Sequence, residues 1–458
     1  MQSQRSILEA LEETPLQGFH WKTMFTAGMG FFTDAYDLFI IGVVTTLLST
    51  QWNLSKTEIG VLNATSLISA ALGAVIFGRL ADRFGRKAVY GLEVTILTLG
   101  ALLSATSQDF TQLLIWRFII GLGVGGDYPT SAIIMSEYSN RKNRGRLVTS
   151  VFAMQGFGLL VGPLVASLLL WTGISHDVVW RIMLALGAVP AATVIYLRRK
   201  ISETPRYLVD VKHDTISAAQ VVSGLINEEV VDRSSMDKKS VIKQSSFWLR
   251  LFGTAGSWFF LDVAFYGNSI SSTLILKSLA PNASLIHDTL LAAAIFLVFA
   301  IPGYWVAAFT IDRIGRKKIQ LFGFLIMAIA FGTIYFVPNI ATYVIPFVIV
   351  YGISYFFTEF GPNTTTFVVP SEVFPTEIRA FANGLSAGAG KIGAFLGALL
   401  VPTLLSNYSL SGTEGIMAVI SILGAFTTLF IPEFKARSLS DQLEEPQNRV
   451  KHKKHVIV

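Results

Sequence analysis

Apolar stretches of spanning length alternate with short polar connections from about residue 23 to about residue 432. At 1.5 Å of rise per residue, each is long enough to cross roughly 30 Å of hydrocarbon as a helix. The pattern predicts twelve, at about 23–48, 57–81, 86–107, 110–138, 146–172, 179–199, 247–275, 287–311, 317–338, 341–369, 382–406 and 411–432. A polar stretch from Lys200 to Gln244, with mixed charge and no apolar run, separates the sixth from the seventh. The expected fold is therefore an all-α membrane protein of twelve transmembrane helices in two six-helix bundles. The first bundle covers 1–199, a linker 200–246, the second bundle 247–432 and a polar tail 433–458.

Composition agrees with this pattern. Hydrophobic residues make up 52% of the 458 and charged residues only 14%, against about 25% charged in soluble proteins. There is no cysteine, which excludes disulfides and thiolate metal sites. The net charge of +6 does not point to nucleic acid, because the basic residues sit in alternate short loops. Arg83, Arg86 and Lys87 follow the second run, and Arg141, Lys142, Arg144 and Arg146 the fourth. Arg198, Arg199 and Lys200 follow the sixth, and Arg313, Arg316, Lys317 and Lys318 the eighth. By the positive-inside rule both termini and the linker are expected in the cytoplasm. A further basic cluster, Lys451, Lys453 and Lys454, ends the tail. The first 20 residues lack the charged-then-apolar order of a cleaved leader, so the first span is expected to direct insertion.

The halves repeat. Asp82 and Asp312 each open a D-R-x-G-R-K string, 230 residues apart. Glu137 and Arg144 are echoed by Glu372 and Arg379, at the same spacing of seven. Two parallel six-helix repeats are the pattern of rocking transporters, whose substrate site lies near the bilayer midplane between the halves.

Several polar residues fall inside the apolar runs. An acid or base at membrane depth costs roughly 2.5–3.5 kcal/mol on insertion scales, so each is a functional candidate. Asp34 and Asp37, three apart, lie about 60° apart on the first helix. Arg117, early in the fourth, requires a carboxylate partner; Asp37 or Asp34 is expected, and protonating that acid would release the pair. The competing reading is a static bridge. Asp127 stands in the second half of the fourth run beside Tyr128 and Pro129, where Pro129 is expected to open the helix locally. Asp127 would relay a proton or organise the site. Gly121, Gly123 and Gly126 spell a dinucleotide-binding string, but no strand precedes them; close helix packing is the better reading. Trp258, Asp262 and Tyr266, spaced by four, share one face of the seventh helix over an arc of about 80°. A donor indole, a carboxyl and a donor phenol on one stripe suit a tetrahedral oxyanion. Gln155 and Asn363 offer amide donors, though interhelical bonding alone would also explain them. Lys391 is an intramembrane cation, and its bland alternative is a snorkelling lysine. Glu359 has no assigned role.

The paired D-R-x-G-R-K loops resemble the loop signature of the major facilitator superfamily. ETPR at Glu203–Arg206 and PEFK at Pro432–Lys435 look like degenerate sugar-porter motifs. Five intramembrane strings, GMGFFTDAYDLF, GGDYPTSAIIMSE, GTAGSWFFLDVAFYGNS, FGPNTTTFVVPSEVFP and SAGAGKIGAFLG, are similar to those of the proton-coupled phosphate symporters of that superfamily, known from fungi and plants.

The resemblance implies import of inorganic phosphate with protons through the plasma membrane by a chain that is not an enzyme, needs no cofactor or metal, and acts as a monomer in the bilayer. It implies a phosphate site of Tyr128, Gln155, Trp258, Asp262, Tyr266, Asn363 and Lys391. It implies proton coupling through Asp34, Asp37, Arg117, Asp127 and Asp262, with Asp34 in the central cavity. A charged Asp262 would repel phosphate, whereas a protonated one would donate a hydrogen bond, so proton and phosphate should favour each other's binding. Asp82, Arg83, Arg86, Asp312, Arg313 and Arg316 are expected to act as a cytoplasmic gate. Glu137 with Arg144, and Glu372 with Arg379, are expected as its ion pairs. The alternatives are a proton symporter for a sugar or organic acid, and a nutrient receptor without flux. The glutamine pair expected of sugar porters in the seventh helix is missing.

Overall fold

The computed structural model describes residues 6–226, 230, 244–279, 282–340, 343–435 and 437–439. The basic tail cluster Lys451, Lys453 and Lys454 and part of the linker lie outside the described residues. Among the described residues the regular elements are helical, and ten helices are long and apolar enough to cross a membrane. In chain order, spans 1 to 6 are Gly18–Gln51, Lys56–Phe84, Arg86–Ser104, Phe110–Tyr138, Arg144–Trp171 and His176–Lys200. Span 7 is Gln244–Ile270, whose polar residues dilute its apolar character. Spans 8, 9 and 10 are Leu285–Ile314, Arg316–Phe336 and Val344–Val373. Spans 11 and 12 form the helical stretch Arg379–Thr428, which breaks at Ser409 with φ 61°. The expected twelve spans are therefore present.

Both D-R-x-G-R-K strings fold alike. Gly85 and Gly315 adopt φ of +105° and +106°, a left-handed region that a side chain would strain. Each lets one span stop and the next begin at once. The new helix starts are capped by the acids of the two terminal motifs. Glu203 accepts from the N–H groups of Arg86 at 3.1 Å and Lys87 at 3.2 Å. Glu433 accepts from those of Arg316 at 3.1 Å and Lys317 at 3.0 Å. A carboxylate at a helix N-terminus satisfies orphan donors and meets the positive end of the helix dipole.

Small residues set the close packing. A Cβ added to Gly121 would fall 2.2 Å from the Ser66 carbonyl oxygen, and one on Gly125 1.9 Å from that of Ala70, so span 4 touches the backbone of span 2. The glycine string thus serves helix packing. Spans 2 and 11, and spans 5 and 8, make the main contacts between the halves. Residues such as Leu168, Ile329 and Val419 face outward as the lipid-covered surface. At the end carrying the basic loops, a short helix Ile7–Glu13 docks on Thr215–Ile226 through Ile7, Leu11, Ala218 and Val222.

Candidate substrate and proton site

Four spans, two from each half, bring polar side chains to one point. The Tyr128 hydroxyl of span 4 donates to Asp34 Oδ2 of span 1 at 2.7 Å. It lies 3.0 Å from the Tyr266 hydroxyl of span 7. Lys391 Nζ of span 11 donates to the Tyr128 hydroxyl at 2.8 Å and also to the Tyr266 hydroxyl. It stands over both phenol rings, 4.1 and 4.2 Å from their centroids. Asp262 Oδ2 is 3.7 Å from the same ammonium. All five residues are buried, so the cluster is closed to solvent from both ends. Trp258 packs on Tyr128 with centroids 5.8 Å apart, and Phe31, Phe152 and Phe367 complete an aromatic wall. Lys391 is thus placed among the cluster and does not snorkel.

Gln155 and Asn363 come together on the other side of Tyr266. Gln155 Oε1 accepts from the Tyr304 hydroxyl at 2.6 Å, and Asn363 Nδ2 donates to the Tyr304 oxygen at 2.9 Å. A small cavity beside Gln155 and Tyr266 is lined also by Leu38, Phe265, Ser269 and Ile270. Tyr304 carried no motif that marked it in the sequence.

Two further intramembrane arginines are paired elsewhere. Arg117 donates to both carboxyl oxygens of Asp37, at 2.6 and 2.7 Å, and to Ser66. Of the two expected partners Asp37 is therefore the one engaged, while Asp34 turns to Tyr128. Asp127 meets Arg198 with two parallel bonds of 2.7 and 2.8 Å and accepts from Ser131 at 2.5 Å. This corrects two expectations. Arg198 is not a loop cation but is fully buried against span 1. Pro129 does not open span 4, which runs unbroken from Phe110 to Tyr138, with the Thr130 hydroxyl donating to the Gly126 carbonyl at 2.7 Å. A Cβ on Gly30 would lie 1.7 Å from Asp127 Oδ2, so the pair needs glycine there. Glu93 and Glu414 are two further buried acids that no motif marks in the sequence; an acid inside a predicted run is the available signal. Glu93 accepts from Thr130 at 2.7 Å. Glu414 accepts from Asn268 at 3.4 Å.

At the basic end the halves are clamped. Asp82 accepts from the Ala380 and Phe381 N–H groups at 3.2 and 2.7 Å, and Asp312 from those of Gly145 and Arg146 at 3.0 and 2.7 Å. Each motif aspartate thus caps the first turn of a helix in the opposite half. Arg83 and Arg313 instead give their carbonyls to Tyr207 and Lys435. The expected pairs Glu137–Arg144 and Glu372–Arg379 are not those formed. Glu137 meets Arg86 at 3.3 Å and Arg379 at 2.8 Å; Glu372 meets Arg316 at 2.7 Å. The turn at residues 139–143 carries Arg144 away from Glu137 and toward the chain termini. There Arg144 and Arg206 converge on Glu12, which also accepts from the Ser438 hydroxyl at 3.0 Å and the Leu439 N–H at 3.2 Å. Burial pushes the Glu12 carboxyl up, but Arg206 and Arg144 outweigh it and hold it below its ordinary value.

A family model described as "Sugar (and other) transporter" matches residues 23–445. "Low affinity inorganic phosphate transporter 8" of Medicago truncatula is 36% identical, over 96% of this chain and 93% of its own. "Inorganic phosphate transporter 1-4" of Arabidopsis thaliana is 34% identical, over 97% of each. Among solved structures, the proton:xylose symporter XylE bound to 6-bromo-6-deoxy-D-glucose superposes with a TM-score of 0.80 at 20% identity, over 93% of this chain and 98% of that one. The inward-open XylE of E. coli gives 0.66 at 20% identity, over 92% and 99%. These structures share the fold.

Proposed function

The chain belongs to the sugar (and other) transporter family of the major facilitator superfamily, and from that premise we propose that it imports inorganic phosphate with protons by alternating access. It is a transporter and not an enzyme. The observation that carries the reading is the buried cluster around Lys391, in which both halves contribute hydroxyl donors, carboxyls and one ammonium. The relatives named as phosphate transporters align over nearly the full length.

Phosphate binds between the Lys391 ammonium and the Tyr128 and Tyr266 hydroxyls, with Trp258, Gln155 and Asn363 as further donors. Each lone carboxylate at this depth opposes an anion, so Asp262 holds a proton while phosphate is loaded. Its proton leaves with phosphate on the inner side. Asp34, fixed by Tyr128, senses the same charge. Asp37–Arg117 is a second acid–base pair of the proton path, and Asp127–Arg198 holds span 4 in place. The basic end is cytoplasmic, and its clamp of Asp82, Asp312, Glu137 and Glu372 is broken when the halves rock inward. The chain works as a monomer in the plasma membrane.

The test is uptake of labelled phosphate, glucose and benzoate by liposomes holding the purified chain, with and without a pH gradient. Phosphate alone should accumulate, and only with the gradient. Asp262→Asn should keep phosphate exchange but accumulate less phosphate under the same gradient; full accumulation by that variant refutes the role of Asp262.

A further inference from the structure

Glu359 is a fully buried carboxyl that the reading above leaves unused. It opens a π-helical segment, Glu359–Asn363, where span 10 departs from regular helix at Gly361 beside Pro362. Such bulges rotate side chains out of the usual register and cluster at functional sites. Here the bulge sets Glu359 against Asn363, whose Nδ2 donates to Glu359 Oε2. Among the described residues, Oε1 has no hydrogen-bond partner and no cation lies within 4.0 Å of the carboxyl. An ionised carboxylate so placed has no compensating charge, at a cost of several kcal/mol, which a bound proton removes.

The groups facing it are few. Span 8 presents Tyr304 and the backbone at Gly303, span 7 presents Asp262, and span 10 itself presents Tyr355 and Asn363. Span 9 meets the segment at Gly323, with its basic residues Arg316, Lys317 and Lys318 in its first turn. The Asn363 amide has two protons and three acceptors within reach: Glu359, the Tyr304 oxygen at 2.9 Å and Gln155 Oε1 at 3.4 Å. Its donors are therefore committed, and an ionised Glu359 would hold one of them firmly. The bonds run Glu359–Asn363–Tyr304–Gln155, ending at the cavity that Gln155 shares with Tyr266.

Charge arithmetic points the same way. Arg117 and Arg198 are taken by Asp37 and Asp127. Lys391 then meets Asp34 and Asp262, and Glu359 is left without a cation within 4.0 Å among the described residues. A phosphate monoanion balances Lys391 only if all three carboxyls are neutral.

We propose that Glu359 is a second proton-carrying carboxyl of the transport cycle, and that its proton frees the Asn363 amide to bind the transported phosphate. The proposal rests on the phosphate-symport reading. Protonated, Glu359 releases its grip on Asn363 and the loaded site is neutral. On the inner side Glu359 gives its proton to water, the carboxylate recaptures the amide, and phosphate loses a donor and gains a repelling charge.

The experiment compares the full chain with Glu359→Gln in liposomes at zero membrane potential. One measures the phosphate accumulation at which net flux vanishes across a pH difference of about one unit. One coupled proton fewer lowers that accumulation about tenfold, so the variant should fall by this factor while phosphate exchange persists. An unchanged ratio overturns the proposal. Should Glu359→Gln not transport, phosphate binding in detergent decides. Glutamine mimics the protonated acid, so the variant should still bind, with a flatter loss of affinity as pH rises. No binding, or an unaltered pH profile, also overturns it. A wild-type chain that accumulates no phosphate refutes instead the functional reading on which the proposal stands.

Discussion

Removing Asp82 should unlock the basic end of the molecule by a calculable amount. Its carboxylate holds two backbone N–H groups of span 11, at 3.2 and 2.7 Å, and stands 3.4 Å from Arg86. Hydrogen bonds to a charged group contribute about 1.5–3 kcal/mol each. The side chain is slightly open to solvent, and Arg86 keeps Glu137 in the variant, so the lower end applies and Asp82→Ala should lose about 3 kcal/mol. The two bonds to span 11 exist only while the halves are clamped, so their loss falls almost wholly on the closed state. A shift of about 3 kcal/mol moves a two-state equilibrium by roughly 150-fold. The chain contains no cysteine, which makes it ready for a single-site reporter. Ser371 is fully buried and its carbonyl accepts from Ser136 across the interface at 3.3 Å. Maleimide labelling of Ser371→Cys should therefore be slow in the parent and about two orders of magnitude faster with Asp82→Ala. If the rate stays within about twofold while the variant remains monodisperse, the clamp does not set the equilibrium and the reasoning fails.

Two further outcomes follow from the buried charges. Arg198→Met leaves Asp127 uncompensated and should cost about 3–5 kcal/mol in detergent unfolding, whereas Asp127→Asn with Arg198→Met should recover most of that loss; additive losses would show that the two do not act as a pair. Glu12, held below its ordinary carboxyl value of 4.5, contributes stability that is present above that value and lost as pH falls through the lower folded-state value. Hydrogen exchange over residues 7–13 should therefore accelerate in acid, below the ordinary carboxyl range, and Glu12→Gln should abolish that pH dependence while exchanging faster at neutral pH; a variant that retains the acid response points to another group.

The polar column was readable residue by residue because lipid makes any charge conspicuous. Asp34, Tyr128, Asp262, Tyr266 and Lys391 stood out in apolar runs and do meet. Partner choice was not readable. Arg198 looked like a loop cation because it ends an apolar run beside Arg199 and Lys200, and only the approach of span 1 at Gly30 shows it reaching inward. Glu137 and Arg144 look like natural partners at a spacing of seven. The turn between them separates them and gives Arg144 to an N-terminal glutamate more than 130 positions away in the chain.

What the sequence determined by itself was whatever depends on local composition: twelve spans, the break between halves, the repeated motif loops after spans 2 and 8, and which residues bear the cost of burial. Hydropathy and helix periodicity act over one span and need no partner. What the tertiary structure decided was pairing: Asp37 rather than Asp34 for Arg117, Arg198 for Asp127, the crossing of Asp82 and Asp312 onto helix starts of the opposite half, and the bond line from Glu359 to Gln155. A buried charge fixes only that some compensation must exist. Which group supplies it depends on helix rotation and depth, and those are set by packing across the whole bundle.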